Sequence, residues 1–306
     1  MRFFGGRLRK QFEHHQHSIP AGTENNRRSF ANRRNRSVEP DFSLNTKHIR
    51  LAIADTQRNK ILALEDYALN AVFSQLQLTD QLNLLVEENP FLTQTQWNEI
   101  RVAVKNQNFT LIPETLFEPA AAQHYLNLHA EPDEFHEEIL TCRHPKIEAV
   151  SIFTADSYLI KWFEETFTTK KLRFLHQTSP LIEGVLNQHE RSLQKKTYLY
   201  VEQNYLSILL AQENRLEFCN QFYYATPEDF IYYLLLVMQE QKLNPDQDPV
   251  TVWGDITHDS ALFTMMRKYV RNVNFGRKPQ NIAFSYKFDD AFEHRYFDLY
   301  SLHLCE

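Results

Sequence analysis

Residues 197–260 read TYLYVEQNYLSILLAQENRLEFCNQFYYATPEDFIYYLLLVMQEQKLNPDQDPVTVWGDITHDS, and the fold is decided in this stretch. The run 198–201 breaks at Glu202, Gln203 and Asn204 and resumes over 205–210, the pattern of a hairpin in a largely buried sheet. A third run, 216–224, extends the hairpin to a meander. Thr226 is placed to cap a helix, with Pro227 at its first position and Asp229 at its third, which resembles a capping box. That helix is predicted to reach about Gln241. Residues 244–249 have loop composition, 250–253 read as a strand, and Gly254-Asp255 ends it. Ala261, Leu262, Met265, Met266 and Tyr269 predict another helix. A last strand over 281–286 and a last helix presenting Phe292, Tyr296, Phe297, Tyr300 and Leu302 complete this half.

Working back towards the start, 49–55 and 60–65 predict a hairpin across Arg58-Asn59. Leu76, Leu78, Leu82, Leu85 and Val86 recur at helical spacing before Asn89-Pro90. Ile100, Val102 and Val104 alternate with polar residues and predict a second hairpin, turning at 106–108 and returning over 109–113. A third pairs 139–143 with 147–153 across His144-Pro145. An amphipathic helix follows with Tyr158, Leu159, Trp162, Phe163 and Phe167 on one side, and then a strand over 172–176. Ser179 reads as the cap and Pro180 as the first residue of a helix that presents Leu181, Ile182, Val185, Leu186 and Leu193. Each half thus gives strands first and then strands mixed with helices, the order of a duplicated α/β domain with antiparallel hairpins at its sheet edges. The expected organisation is an Arg-rich tail over 1–43 that does not fold alone, a first half over 44–191 and a second over 192–306.

A chain of 306 residues with 42% hydrophobic and 13% aromatic residues has ample material for a packed core. Cys142, Cys219 and Cys305 are far apart and odd in number, so neither a disulfide framework nor a zinc ribbon is encoded, and a reducing cytoplasm is expected. The longest apolar runs are too short to span a bilayer, and no membrane association is expected. His14, His15 and His17 lie in the tail without acidic or cysteine partners, and no metal site is predicted. Residues 1–40 hold eight Arg and Lys10 against Glu13, Glu24 and Glu39, a net charge of +6 that leaves −12 for the rest. Such a tail cannot bury enough apolar surface to fold alone. Its arginines, Arg27, Arg28, Arg33, Arg34 and Arg36 among them, suit either an arm for RNA or an acidic surface, or a solvated extension.

Three stretches carry a family resemblance: IRVAVKNQNFTLIPETLF over 100–117, NRLEFCNQFYYATPEDFIYYLL over 214–235, and VTVWGDITHDSALF over 250–263 with Lys268-Tyr269-Val270. With these the chain resembles uncharacterised bacterial proteins of the actin-like ATPase fold, the duplicated ribonuclease-H-like architecture shared by actin, Hsp70 and the sugar kinases. The resemblance runs from about Leu44 to Glu306 and implies a fold without an established role. Active members of that superfamily place an Asp and small, Gly-containing turns in the opening hairpin of each half, so that backbone N–H groups meet phosphate and the Asp meets Mg²⁺. Carried over, residues 54–59 with Asp55 would be the first phosphate turn, Glu202, Gln203 and Asn204 the second, and Gly254-Asp255 the adenosine-contacting turn. Both phosphate turns lack glycine, and between Leu44 and Glu306 the only glycines are Gly184, Gly254 and Gly276.

Three functions follow as expectations. The first is a nucleotide-site-degenerate, non-catalytic module that binds an unknown protein partner, with no cofactor. The second is an ATP- and magnesium-binding ATPase or switch working through Asp55, Glu202, Gly254 and Asp255. The third is an RNA-associated protein acting through its basic tail. No Gly-x-Ser-x-Gly elbow, Gly-x-x-x-x-Gly-Lys loop or His-Glu-x-x-His pair stands in the sequence, so no intact catalytic motif directs the reading to an enzyme.

Overall fold

The computed structural model describes residues 38–45, 47–69, 75–89, 92–93, 97–188, 193–284 and 294–305. The expected Arg-rich arm up to residue 37, the turn residue Pro90, the half boundary near Arg191 and the helix residue Phe292 lie outside them. The chain divides into two compact units. Unit 1 comprises Met1–His144, Glu148–Gln177 and Ala283–Ala291; unit 2 comprises Pro145–Ile147, Thr178–Ile282 and Phe292–Glu306. The division thus runs at Gln177/Thr178, ahead of residue 191, and a late segment returns to unit 1.

Unit 1 opens with β1 (Val38–Leu44), β2 (His48–Asp55) and β3 (Lys60–Ala68), an antiparallel meander. β4 (Glu99–Val104) pairs in parallel with β1, and β8 (Lys171–His176) in parallel with β4. With β14 (Ala283–Phe284) parallel to β3 the order is β14-β3-β2-β1-β4-β8. The sequence reading places β1 in the tail, which is expected to run to residue 43. The structure instead buries all seven of its residues in the interior of the sheet. Phe42 packs edge-on against Phe163 at 5.3 Å. Phe163 belongs to helix α3 (Ser157–Thr166), whose first turn is capped by Asp156 accepting from the Leu159 N–H at 2.9 Å. Trp162 on α3 donates from Nε1 to Asn83 Oδ1 at 2.7 Å, tying it to α1 (Gln75–Glu88).

The predicted hairpin between 100–104 and 109–113 does not form. β5 (Phe109–Pro113) leaves for a separate antiparallel sheet, β5-β7-β6, with β6 (Glu137–His144) and β7 (Ala149–Asp156). Asn106 turns the chain between the sheets: its Nδ2 donates to Thr154 O at 2.7 Å, and its carbonyl receives Gln177 Nε2 at 3.1 Å. The β6–β7 hairpin forms as predicted, and the short helix α2 (Ala122–Leu126) precedes it in the chain.

Unit 2 repeats the plan of unit 1. β9 (Lys196–Glu202), β10 (Tyr205–Gln212) and β11 (Arg215–Tyr223) form the predicted meander, and β12 (Val250–Gly254) and β13 (Val273–Phe275) add in parallel beside β9, giving β11-β10-β9-β12-β13. Helix α4 (Thr178–Leu186) is buried along its whole length and includes Ser179 and Pro180, so Ser179 is not its cap, and exposed Leu193 lies beyond its end. The capping box at Thr226 is present on α5 (Pro227–Glu240). α5 and α6 (Ala261–Tyr269) place Phe230, Leu234, Met238, Phe263 and Met266 against Leu199, Leu206, Ile208 and Val252 of the sheet. Each such side chain contributes roughly 1.5–3 kcal/mol by leaving water. α4 also meets α7 (Phe297–Leu302) at Gly184, where an added Cβ would stand 2.3 Å from Ser301 Oγ.

Candidate functional site

In unit 2 the strands β9 and β12 run side by side and end together, Val201 opposite Gly254. This register brings three of the four expected site residues, Glu202, Gly254 and Asp255, to one strand end. Gly254 has φ +98°, and a Cβ there would lie 2.0 Å from Val201 O, so glycine lets β12 finish against β9. The Gly254 N–H donates to His294 O at 3.0 Å and the Asp255 N–H to Val201 O at 2.7 Å. The Asp255 carboxylate accepts from Arg295 Nε at 3.1 Å. His294 sets its Nε2 2.8 Å from Ile256 O, and burial holds its pKa below the ordinary value. The preceding turn is closed in the same manner. Gln203 sits at φ +49° and its carbonyl receives the Tyr224 hydroxyl, while Asn204 exchanges two bonds with Tyr224, N–H to Asn204 O at 2.8 Å and Nδ2 to Tyr224 O at 3.1 Å. Burial, with Asp255 adding to it, pushes the Tyr224 hydroxyl up to about 12.

Asp55 lies in unit 1, at the β2–β3 turn read from the sequence, but that turn belongs to the second hairpin of the unit and not to its opening one. Strand order makes β1–β2 the counterpart of β9–β10, so the opening hairpin of unit 1 joins Leu44 to His48, and Asp55 begins the turn of the next one. Its Oδ1 accepts from the N–H groups of Gln57 at 3.1 Å and Arg58 at 3.0 Å, which folds the β2–β3 turn with Asn59 at φ +48°. In the opening turn Asn45 Oδ1 plays the corresponding part, accepting from Lys47 N at 2.8 Å and His48 N at 2.6 Å. With β1 assigned to the tail, the β2–β3 hairpin takes the place of the opening one in the sequence reading.

Unit 1 also holds a buried charged group that sequence reasoning missed. Asp41 on β1 faces Arg101 on β4, and Arg101 faces Arg173 on β8. Arg101 donates to Asp41 Oδ1 at 2.9 Å and Glu39 Oε2 at 2.8 Å, with Glu99 at 3.6 Å. Lys171 and Arg173 balance Glu99 at 2.9 and 3.7 Å. Burial opposes the Arg101 charge, but Asp41, Glu39 and Glu99 outweigh it and hold its pKa above the usual arginine value. Burial also raises the Asp41 and Glu39 carboxyls, against the pull of Arg101. Asp41 Oδ2 and Arg101 Nε have no further hydrogen bond among the described residues. The signal in the sequence was Glu39 and Asp41 two apart beside Phe42 and Leu44, with Arg101 at the same alternation in β4. Chemically the group bridges β1 and β4 and balances buried carboxylates with a buried cation.

Next to the β4–β5 crossing His176 stacks on Phe109 at 4.4 Å and reaches Asn106 O at 3.0 Å through Nε2. Burial lowers its pKa to about 4, and burial with Arg173 lowers that of His144 to about 4 as well. Both are neutral core histidines. Among the described residues no three His, Cys, Asp or Glu side chains are placed to hold a metal ion, and no helix is long and apolar enough to cross a membrane.

Two sheets of one strand order, each an antiparallel meander continued by parallel strands, define the duplicated α/β architecture of the actin-like ATPase fold. Within it the chain belongs to the family described as Protein of unknown function (DUF3822), whose model matches residues 41–273. A Bacteroides thetaiotaomicron VPI-5482 protein with actin-like ATPase fold and unknown function has 22% identity and a TM-score of 0.75, over 89% of this chain and 97% of that one. A chain of the PilM-PilN type IV pilus biogenesis complex has 12% identity and a TM-score of 0.55, over 88% and 98%. At these identities the likeness is one of fold. No curated protein matches the chain.

Proposed function

We propose that this protein is a non-catalytic actin-like module, degenerate at its nucleotide turns, that works by binding a protein partner. One observation carries the reading. The backbone donors of Gly254 and Asp255, at the place where the fold would meet a nucleotide, are spent on His294 O and Val201 O, and the Asp255 carboxylate is spent on Arg295. A phosphate or adenosine contact there would have to displace bonds within unit 2 and leave the buried Val201 carbonyl unpaired. The sequence between Leu44 and His48 and between Val201 and Tyr205, where the opening hairpins of the two units reverse, holds no glycine through which backbone could approach an anion closely. The partner half of the reading draws on the fold: a chain similar to this one is found in the PilM-PilN type IV pilus biogenesis complex.

The test is calorimetric titration of the full chain with ATP, with and without Mg²⁺. The expected result is no saturable heat and an unchanged melting temperature. Mg²⁺-dependent binding tighter than about 100 μM, roughly 5.5 kcal/mol, overturns the nucleotide half of the reading. The partner half is tested by reciprocal tagging: one protein should be recovered in fixed stoichiometry from either end, and a chain that stays an unpartnered monomer overturns it.

A further inference from the structure

The negative charge of the body is concentrated around the three-stranded sheet. Residues 109–156 hold nine Asp and Glu against Arg143 and Lys146. Those two cations are already engaged, Arg143 with Glu114 at 3.2 Å and Lys146 with Glu183 at 2.6 Å. The densest part is 128–138, LHAEPDEFHEE. Leu128 is 74% exposed and Phe135 is 91% exposed, and Glu131, Glu134 and Glu138 in the same segment are exposed as well. The turn carrying Phe135 is firmly built: the Glu137 N–H donates to Asp133 O at 2.8 Å, and Ser157 Oγ donates to His136 O at 2.8 Å. A large aromatic ring held out in water in a segment rich in exposed carboxylates suits a chain segment that is both basic and apolar.

The sequence contains one such segment. Ahead of Val38 stand 37 residues with eight Arg and Lys10 against Glu13 and Glu24, a net charge of +7 that matches the −7 of residues 109–156. Phe3, Phe4, Leu8, Phe12 and Phe30 lie among them. Reach permits the contact. The far end of β1 meets the β4–β5 connection, where Lys105 N–H donates to Leu44 O at 3.1 Å, and the next residue, Asn106, donates from Nδ2 to Thr154 O of the small sheet at 2.7 Å. β1 is roughly 20 Å long. The eleven residues from Arg27 to Val38 span up to about 36 Å. We propose that the basic arm, residues 1–37, docks on the acidic, Phe135-tipped surface at residues 128–138 of its own chain.

Trypsin reads the docking directly, because the arm's arginines are its cleavage sites and cleavage follows the undocked population. In the full chain at low salt, cutting after Arg27 and Arg28 is expected to be about tenfold slower than in a free peptide of residues 20–41, and the difference should vanish near 0.5 M salt. The variant E131Q/E134Q/F135A/E138Q should lose the protection while keeping its melting temperature. A second variant, R33Q/R34Q, leaves the surface intact and should also speed cutting after Arg27 and Arg28. Cleavage at the free-peptide rate in the unaltered chain overturns the proposal, as does protection that survives both variants. Protection that rises with protein concentration assigns the arm to a second copy, and protection that needs added RNA assigns it to nucleic acid; either result overturns the intramolecular docking.

Discussion

At Gly254 a methyl group would both strain a positive φ and strike Val201 O, so the residue is required by the pairing of β12 with β9. Gly254→Ala is expected to cost about 2–4 kcal/mol, read as a lowered urea midpoint at unchanged slope. In unit 1 the charge of Arg101 bridges two strands. Arg101→Met leaves Asp41 and Glu39 buried without their cation and should cost about 3–5 kcal/mol. Adding Asp41→Leu and Glu39→Leu to that variant should restore most of the loss, because no uncompensated charge then remains at those positions. If the triple variant is as unstable as Arg101→Met, the group is needed for more than charge balance. Among single residues, Gly254-Asp255 was legible as a turn from its own two letters. Asp55 was legible as an acid at a strand end, but not its place in the second hairpin, which depends on a strand that sequence reading had left in the tail.

At the scale of elements, the parts predicted well are those closed by near neighbours. Thr226 and Asp229 cap α5 reciprocally, with the Asp229 N–H 3.1 Å from Thr226 Oγ1 and the Thr226 N–H 3.0 Å from Asp229 Oδ2. Thr226→Ala should cost about 1 kcal/mol, and Thr226→Ser should recover nearly all of it, both measured by thermal unfolding. The β2–β3, β6–β7 and β9–β10–β11 pairings were legible for the same reason: a short turn joins strands with matching alternation. β4 and β5 carry the same hairpin signals around residues 106–108, yet part into two sheets. The difference lies in Asn106, whose amide and carbonyl are taken by Thr154 and by His176 and Gln177, some 48 to 71 residues away in sequence. Ser179 likewise reads as a cap and sits inside a buried helix, because α4 begins earlier, at Thr178.

For the molecule as a whole, the buried histidines set an acid limit on stability. His144 and His176 have folded pKa values of about 4, against an ordinary value of 6.5. Between those values the unfolded chain takes up protons that the folded chain refuses, so stability is full above about pH 6.5 and falls as pH drops towards 4. The loss is on the order of 3 kcal/mol per histidine. Asp41 and Glu39, raised in the folded state, act in the opposite sense, their contribution being present in acid and lost as pH rises through their folded values. A melting temperature that declines from pH 7 to pH 4.5, with a shallower decline in His176→Gln, is the expected result; a flat profile would mean that these histidines are not buried neutral. The sequence by itself determined the local pieces, the meander, the capping box, the hairpin turns and the aromatic helix faces, because each is specified by residues a few positions apart. Tertiary structure alone decided that β1 is an interior strand, that β4 and β5 belong to different sheets and that the Gly254-Asp255 donors are spent internally. Each depends on partners some 40 to 71 residues away, whose pairing becomes favourable only once the chain has closed on itself.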